Sequence, residues 1–354
     1  MGGVKQYIEA MCLQIIDRMK DGDHLTIFHN CPKLYFNSTK PHVEEVLLGS
    51  GNKLFCDFVL GPWKMNRRDL DVVWFTKYVV PFGVNCKTIT TVHDLAYYMP
   101  WLNAYTLKET LYMRTMIQNS IRRVDEVVAI SQNTKTDILN LLDVPEEKVH
   151  VIPLAADEKY RIVTDQDQLQ KFRKRQGLPE KYILFTGDIS PRKNLARLIR
   201  AFERISSLFE HKLVITGTKG WNNREVTDAI ERNPRIIWLG FVEDQEMPFL
   251  YNAASLFVYP SLYEGFGLPI LEAQRCGCPV VSAKNSSLIE VGGDGVLFCN
   301  ADDETDIGEK ITLSLCDSAI MNSLREKGAI NQAKFSWAKS ADVILDLMRN
   351  VVNR

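Results

Sequence analysis

The stretch Ser255–Ala273, SLFVYPSLYEGFGLPILEA, combines the patterns of a β-strand, a loop and a helix. Its apolar beginning predicts a buried strand, and Pro269 suits the first turn of a helix that begins at Leu268. The loop between them contains Gly265 and Gly267, which allow a ligand to approach the backbone closely. Such a strand–loop–helix unit is the repeating step of a parallel α/β sheet.

The same alternation of apolar runs and amphipathic segments continues along both halves of the chain. The runs that predict strands are residues 25–30, 71–76, 88–94, 126–131 and 149–154 in the first half, and 182–188, 212–217, 235–241, 255–261, 279–283 and 296–298 in the second. A polar, charged stretch at 157–181 separates the two series. We therefore predict an α/β protein with two doubly wound, Rossmann-like domains, residues 1–160 and 161–336, that face each other across a cleft.

The composition argues against several classes of protein. The 354 residues carry a formal net charge of −1, so we expect no nucleic-acid partner. The eight cysteines form no Cys-x-x-Cys pair, which argues against a zinc site and for reduced thiols in a cytoplasmic protein. No apolar run is long enough to span a bilayer, and no signal peptide precedes Gly2. A peripheral contact with the inner face of the cell membrane stays open.

A basic turn follows the first predicted strand of the second half. In FTGDISPRKN (185–194), the strand ends near Gly187, and Arg192 and Lys193 lie near the start of the next helix. A helix amino terminus already favours an anion, so two cations there are unfavourable for the helix unless a phosphate binds. The alternative is an ordinary solvated basic turn.

Two glutamates flank the glycine loop of the opening stretch. Glu264 lies in the loop at the carboxyl end of the strand, and Glu272 lies about one turn inside the helix. Carboxylates that accept hydrogen bonds from hydroxyls suit a polyol such as ribose or a hexose, and the two could reach one extended ligand from different sides. The alternative is that Glu264 caps the helix and Glu272 is a solvated helix residue.

The first half contains two weaker candidates. His93 and Asp94 come directly after the predicted strand at 88–94, which is the position where a ligand binds in such sheets. Gly2 and Gly3 precede an amphipathic helix and could cradle a phosphate or a sugar, or simply form a cap. A lone histidine is more often structural, so neither observation identifies a site by itself.

The chain lacks a P-loop, a Gly-x-Gly-x-x-Gly after a strand, a His-Glu-x-x-His and a Gly-x-Ser-x-Gly. As a whole it resembles the family 4 retaining glycosyltransferases, which have the GT-B fold. The resemblance covers nearly the whole chain, and its most specific part is the pair of glutamates in their strand–loop–helix setting. The segments that carry it, in chain order, are GGVKQYI, DVVWFTKYVVP, KTITTVHDLAYY, VDEVVAISQNTKTDIL, VPEEKVHVIPLAAD, FTGDISPRKNLARLIRAF, RIIWLGFV, FVYPSLYEGFGLPILEAQRCGCPVVSA and FSWAKSADVILDLM.

The resemblance implies a role for each candidate residue. Lys193 and Arg192 would hold the diphosphate of a nucleotide-sugar donor, Glu272 the ribose, and Glu264 the transferred sugar. His93, from an acceptor-binding first domain, would lie near the reacting sugar. The expected donor-binding residues are Gly187, Arg192, Lys193, Glu264, Gly265, Phe266, Gly267, Leu268 and Glu272, and the expected catalytic residues are His93 and Glu264.

The resemblance also implies a reaction. It is the transfer of a hexose, with retention of configuration, from GDP-mannose by preference or from a UDP-sugar to a glycan or lipid-linked oligosaccharide in polysaccharide biosynthesis. No metal or other cofactor is expected. The alternatives are a GT-B sugar-nucleotide epimerase, a phosphorylase, or a non-catalytic protein that binds sugar nucleotides.

Two departures from the family pattern lead to further expectations. Members usually have a β-strand before the glycine loop, so either the natural chain starts earlier than Met1 or this sheet is built differently. Many members have Arg directly after the glycine of the phosphate turn, where this chain has Asp188, which makes Lys193 the safer phosphate ligand.

By the same resemblance, the last helix, within 337–354, should pack back on the first domain.

Overall fold

The computed structural model describes residues 3–30, 36, 40–49, 51–218 and 224–354. Gly2 lies outside the described residues, and Gly3 is the first residue of a helix. The helices are α1 (Gly3–Arg18), α2 (Lys53–Phe55), α3 (Gly61–Met65), α4 (Leu107–Arg123), α5 (Gln132–Leu141), α6 (Gln166–Gln176), α7 (Leu195–Ile205), α8 (Arg224–Arg232), α9 (Met247–Ala253), α10 (Leu268–Arg275), α11 (Leu288–Gly292), α12 (Glu304–Cys316), α13 (Ser318–Gln332) and α14 (Trp337–Val352).

The strands lie where the sequence predicts them, with one addition. They are β1 (Leu25–His29), β2 (Val43–Leu47), β3 (Val72–Phe75), β4 (Lys87–Val92), β5 (Glu126–Ala129), β6 (Val149–Val151), β7 (Tyr182–Thr186), β8 (Lys212–Thr216), β9 (Ile236–Gly240), β10 (Leu256–Tyr259), β11 (Val280–Ala283) and β12 (Leu297–Cys299). The prediction missed β2, whose sequence VEEVL carries two glutamates and only pairs with β1. Shorter 3₁₀ turns occupy Ala96–Tyr98, Pro100–Leu102, Glu146–Lys148, Pro191–Lys193, Ser206–Leu208 and Gly293–Gly295, and a π-helical turn occupies Cys56–Leu60.

The chain divides into two compact units. The N-terminal unit comprises the described residues up to Leu95, Leu107–Pro153 and Trp337–Arg354, and the C-terminal unit comprises Ala96–Thr106 and Leu154–Ser336. The units thus divide after Pro153, whereas the sequence placed a domain boundary after residue 160. The short segment Ala96–Thr106 groups with the C-terminal unit, where Ala96 and Leu102 pack with Tyr263.

The C-terminal unit contains a parallel sheet in the order β12-β11-β10-β7-β8-β9. Its order reverses between β7 and β10, and in doubly wound sheets the carboxyl ends of the strands at such a reversal are where ligands bind. The apolar face of α7 packs on this sheet through Leu198, Ile199 and Phe202, as the helical spacing predicts. The predicted α/β class is confirmed.

The N-terminal unit contains a parallel sheet in the order β3-β4-β5-β6 and the separate parallel pair β1-β2. Helix α14 packs against α1 in this unit, with the Trp337 ring 6.1 Å from the Tyr7 ring. Its Ser340 hydroxyl donates to the Pro153 carbonyl at 2.6 Å, and Arg354 reaches the buried carboxylate of Glu126 at 2.6 Å. The C-terminal helix therefore belongs to the same compact unit as the first helix.

Candidate active site

The predicted donor residues of two loops meet at the point where the strand order of the C-terminal unit reverses. The turn after β7 carries Arg192 and Lys193, and the loop after β10 carries Glu264. Because β7 and β10 are hydrogen-bonded neighbours, these two loops leave the sheet side by side. A backbone hydrogen bond of 2.8 Å from Leu262 N to Arg192 O joins them directly.

Glu264 is the centre of an ion-pair network. It is 7 % exposed, and its Oε2 accepts a hydrogen bond of 2.6 Å from Arg192 Nη1. Its Oε1 accepts from Lys193 Nζ at 2.7 Å and from the Tyr259 hydroxyl at 2.9 Å. The interpretation of Glu264 as a simple helix cap is therefore wrong, because its carboxylate bridges two cations.

These contacts fix the charge of Glu264. Burial opposes its ionisation, but the charges of Arg192 and Lys193 outweigh burial and hold the pKa of Glu264 at about 2. Burial lowers the pKa of Lys193, and the Glu264 carboxylate opposes that effect. The Lys193 side chain is only 13 % exposed, which contradicts the alternative of a solvated basic turn. Arg192 and Lys193 thus present two cations to one directly bonded carboxylate, and the charge of Asp188 also acts on Lys193.

The turn that carries the cations is a 3₁₀ turn, Pro191–Lys193, and not the first turn of α7. Asn194 ends it in the left-handed conformation with φ of 59°, and α7 begins at Leu195. The Asn194 side-chain amide donates to the carbonyls of Pro260 and Ala301 at 3.0 and 2.7 Å. The cations therefore lie directly before α7, near the start of the helix as the sequence predicts, and the buried Asn194 separates them from its first turn.

Two glycines shape the turn after β7. Gly187 has φ of 141°, and a Cβ there would contact the aliphatic stem of Lys193 at 3.5 Å. Gly217, at the end of the neighbouring strand β8, has φ of 140°, and a Cβ there would lie 2.0 Å from the Gly187 carbonyl oxygen. Only glycine fits at 217, since the two turns touch through their backbones.

Asp188 stands where many members of the resembled family have arginine. Its Oδ1 accepts a hydrogen bond of 2.6 Å from the Thr218 hydroxyl. The aspartate therefore ties the turn after β7 to the turn after β8. This contact explains how a carboxylate is accommodated beside the basic turn, and it leaves Arg192 and Lys193 as the cations of the turn.

The glycine loop offers backbone donors at the start of α10. Gly267 has φ of 106°, a conformation that favours glycine, and α10 begins at Leu268 as predicted. Within the described residues, the N–H groups of Phe266 and Gly267 have no hydrogen-bonding partner. The Ser287 hydroxyl lies 2.8 Å from the carbonyl oxygens of both Glu264 and Phe266 and so holds the two ends of this loop segment together. Unpartnered N–H groups at a helix start are suited to bind an anion or a hydroxyl.

Glu272 lies in α10 and belongs to a second network. It is 6 % exposed, and its Oε2 accepts a hydrogen bond of 3.0 Å from the Tyr251 hydroxyl. That hydroxyl lies 3.3 Å from Thr186 Oγ1, directly before Gly187. Burial raises the pKa of Glu272 to about 7, although the hydroxyls of Tyr251 and Tyr160 oppose it. The alternative of a solvated helix glutamate is therefore wrong.

His93 follows β4 in the N-terminal unit and is buried. Its Nε2 lies 2.8 Å from the Thr76 carbonyl oxygen, which requires a proton on that nitrogen. The edge of the ring meets Tyr7, with the ring centroids 5.0 Å apart. Burial lowers the pKa of His93, so its imidazole is neutral near pH 7.

The sequence identified the charged residues of this site but missed the groups that hold them. Tyr259 binds Glu264, while Tyr251 and Tyr160 bind Glu272. The signal that could have found Tyr259 is its position at the carboxyl end of a predicted strand. Gly217 occupies the same position in KLVITG that Gly187 occupies in YILFTGD.

Two features bear on metals and membranes. Within residues 3–30, 36, 40–49, 51–218 and 224–354, no three His, Cys, Asp or Glu side chains are placed to hold a metal ion together. Over the same residues, the helices are all too short or too polar to cross a bilayer.

Comparison with known proteins defines the class of this chain. Residues 1–160 match the family described as Glycosyltransferase Family 4, and residues 167–331 match Glycosyl transferases group 1. The chain belongs to this family of glycosyltransferases, as the sequence predicted.

One relative is O-antigen chain mannosyltransferase B of Escherichia coli, which is 32 % identical over an alignment that covers 71 % of this chain and 67 % of the relative. Serotype-specific mannosyltransferase WbdA of Escherichia coli is 31 % identical over 77 % of this chain, which spans only 34 % of that protein. These relatives place the chain among the hexosyltransferases.

Solved structures share the fold at lower identity. Sucrose-phosphate synthase from Thermosynechococcus elongatus has a TM-score of 0.79 at 18 % identity, covering 99 % of this chain and 94 % of its own. HepE of Anabaena, solved in complex with UDP and glucose, has a TM-score of 0.77 at 18 % identity, covering 98 % of this chain and 96 % of its own. The predicted GT-B fold is confirmed.

Proposed function

We propose that this glycosyltransferase transfers a hexose, with retention of configuration, from a nucleotide-diphosphate sugar to a glycan or lipid-linked oligosaccharide. GDP-mannose is the favoured donor, because the relatives are mannosyltransferases, and a UDP-sugar is the second candidate, because HepE binds UDP. The observation that carries the proposal is the convergence of Arg192 and Lys193 on Glu264 at the reversal of strand order. This is the place in a doubly wound sheet where nucleotides bind.

The charges of the cluster suit a diphosphate and a sugar at once. Arg192 and Lys193 supply charge-assisted donors for phosphate oxygens, and the partnerless N–H groups of Phe266 and Gly267 add backbone donors beside them. Glu264 has a pKa of about 2 and stays ionised, so it acts as an acceptor for sugar hydroxyls. Donor binding therefore requires Glu264 to share its two cations with the diphosphate.

Glu272 suits the ribose of the nucleotide. It already accepts a hydrogen bond from the Tyr251 hydroxyl, which is the same kind of donor as a ribose hydroxyl. Its link through Tyr251 to Thr186 sets it close to the turn at Gly187. In this assignment the two glutamates bind the two ends of one donor, with the diphosphate between them.

In the proposed chemical step, the donor and the acceptor exchange one bond and one proton, and the cations of the site stabilise the leaving group. The bond between the anomeric carbon and the diphosphate oxygen breaks, and the acceptor hydroxyl oxygen forms a bond to the same face of that carbon. The acceptor proton passes to the leaving diphosphate, so no charge is lost or gained. Arg192 and Lys193 would stabilise the negative charge that develops on the leaving oxygen, and His93 would contact the reacting sugar as a neutral group.

If the acceptor is lipid-linked, the protein must bind at the cytoplasmic surface of a membrane to reach it. The segment 53–65 exposes Leu54, Phe55, Val59 and Trp63, and the Arg67 guanidinium stacks 3.8 Å from the Trp63 ring centroid. Apolar side chains beside a cation suit the interface of an anionic bilayer. Phe55→Ser/Trp63→Ser should reduce co-sedimentation with anionic vesicles, and equal co-sedimentation would remove this part of the proposal.

The test of the proposed activity is a donor panel. GDP-mannose, UDP-glucose and the free nucleotides are titrated by calorimetry, and transfer to a mannose oligosaccharide is followed by mass spectrometry. We expect tighter binding of GDP-mannose and a product that retains the anomeric configuration. A donor that binds without any turnover would favour a non-catalytic binding protein, and interconversion of the donor without an acceptor would favour an epimerase.

A further inference from the structure

A cavity of about 460 Å³ lies in the C-terminal unit away from the donor loops. It is open to solvent on one side and is bordered by one face of α6, the end of α10 with Cys276 and Gly277, and one face of α13. Arg173 contacts the residue two positions before β7, and Gly277 comes three residues before β11. The cavity therefore reaches the amino ends of these strands, the opposite edge of the sheet from Gly187 and Glu264.

The lining of this cavity is strongly basic. Arg173, Arg275 and Arg325 line it from three different helices, and no aspartate or glutamate is among its lining residues. No carboxylate pairs with any of the three arginines in the part of the chain that the structure describes. Since arginine is permanently charged, the cavity is lined by three cations that form no ion pair within the described residues.

The glutamine side chains of α6 supply polar groups at the rim of the cavity. Gln166 and Gln170 lie at exposed positions, and their side-chain amides form no hydrogen bond within the described residues. Arg173 donates both Nη atoms to the carbonyls of Glu180 and Ala253, at 2.7 and 2.8 Å, and its Nε is fully buried. Arg173 therefore contributes charge to the cavity, whereas the two amides contribute free hydrogen-bonding groups.

We propose that this cavity is a second ligand site, which binds a phosphate monoester of a small sugar. A phosphate monoester carries close to two negative charges and three acceptor oxygens at neutral pH, which matches three arginines better than a single carboxylate does. The amides of Gln166 and Gln170 can donate to and accept from sugar hydroxyls. The volume lies within the range of small-molecule sites, roughly 300–1,000 Å³.

The carboxyl terminus of α10 opposes anion binding in the cavity, but the three arginine charges outweigh it. Helix α10 ends at Arg275, and a helix carboxyl terminus carries a partial negative charge of about half an elementary charge. Three full positive charges face it, one of them on that last turn. Glu272 lies on the same helix, three residues before Arg275, so occupancy of the cavity would bear on a helix that also carries a proposed donor residue.

The experiment is calorimetric titration of the whole chain with mannose 6-phosphate, mannose and inorganic phosphate, each in the presence of excess GDP and UDP. Whichever of the two nucleotides the chain accepts then occupies the donor site, so failure of the donor assignment and failure of the second site are distinguishable. We expect mannose 6-phosphate to bind, and to bind at least tenfold more tightly than either of its two halves. No binding in the presence of both nucleotides, or equal binding of inorganic phosphate, would overturn the proposal.

The variant is Arg275→Gln/Arg325→Gln, which spares Arg173 because that residue holds two backbone carbonyls. It should weaken mannose 6-phosphate by at least tenfold. Arg325→Gln alone, at an exposed helix position, should weaken it less and should not affect folding. Arg224→Gln on α8 is the matched control, and its affinity should equal the wild-type value. Unchanged affinity in the double variant would place the ligand elsewhere and refute the site.

Discussion

Lys193 Nζ lies 2.7 Å from Glu264 Oε1, so the lysine of the turn after β7 is bound to the carboxylate of the loop after β10. The sequence predicted separate partners for these residues, phosphate for one and sugar for the other. The ammonium of Lys193 also donates to the Tyr259 hydroxyl at 2.7 Å, which leaves one of its three N–H groups for a phosphate oxygen. In the proposed site a bound diphosphate would therefore share the lysine with Glu264, and each partner can be tested separately.

Lys193→Ala should weaken the binding of a nucleoside diphosphate by about tenfold or more, because a charge-assisted hydrogen bond contributes roughly 1.5–3 kcal/mol. Glu264 would keep its contact with Arg192, so the protein should fold with a somewhat lower melting temperature. Calorimetry with GDP and UDP measures the effect. Arg204→Ala, an exposed arginine on α7, is the control. Equal nucleotide affinity in Lys193→Ala and wild type would rule out the phosphate role.

Glu264→Gln should have opposite effects on binding and on transfer. The neutral amide releases the charges of Arg192 and Lys193, so affinity for the bare nucleoside diphosphate should stay equal or rise. Transfer should fall by an order of magnitude or more, because an amide is a weaker acceptor for the sugar hydroxyls. Binding is followed by calorimetry and transfer by product formation. A parallel loss of both would show that Glu264 serves mainly to shape the phosphate turn.

Gly217→Ala should destabilise the protein far more than Gly240→Ala. Both glycines end neighbouring strands with positive φ, 140° and 70°, so both substitutions incur backbone strain. A Cβ at 217 also collides with the Gly187 carbonyl at 2.0 Å, whereas a Cβ at 240 meets nothing within 4 Å. We expect about 1–2 kcal/mol for Gly240→Ala and about 3 kcal/mol or more for Gly217→Ala, with loss of nucleotide binding only in the latter. Similar melting temperatures for the two variants would contradict the close contact of the turns.

The comparison of sequence and structure separates local from long-range information. The strands and the start of α10 at Leu268 are predictable, because alternation, glycine and proline act over a few neighbouring residues. The pairing of Lys193 with Glu264 is not, since it depends on β7 lying next to β10, which no local pattern encodes. The burial of Glu272 depends on Tyr160 and Tyr251, which lie far from it in sequence.

The elevated pKa of Glu272 predicts an effect of pH on stability. The folded protein keeps this proton up to about pH 7, whereas the unfolded chain releases it near 4.5. The contribution of Glu272 to the free energy of unfolding is therefore complete below pH 4.5 and is lost as the pH rises to 7. At about 1.4 kcal/mol per pH unit over the shift from 4.5 to about 7, the loss is at most about 3–4 kcal/mol.

Glu272→Gln lacks this titration. The melting temperature of this variant minus that of the wild type should therefore increase as the pH rises from 5 to 8. Glu264→Gln is the control with the opposite sign. Its wild-type carboxyl, with a pKa of about 2, contributes stability that is lost only as the pH falls below about 4.5. The difference between Glu264→Gln and wild type should therefore stay constant from pH 5 to 8. A constant difference for Glu272→Gln as well would show that Glu272 is already ionised at pH 5.

The last prediction concerns His93, whose proposed contact is with the reacting sugar and not with the nucleotide. His93→Ala should lower the transfer rate more than it lowers nucleotide affinity. It also leaves the part-buried Thr76 carbonyl without its donor, at a cost of about 1–3 kcal/mol of stability. His93→Gln separates the two effects, because its amide can still donate to that carbonyl. We expect Gln to restore the melting temperature but not the rate. Since the imidazole is neutral, the rate should also show no inflection near the ordinary histidine pKa of 6.5. Full activity in His93→Gln would make the histidine a structural support for β4, with the donor assignments of Lys193, Glu264 and Glu272 unaffected.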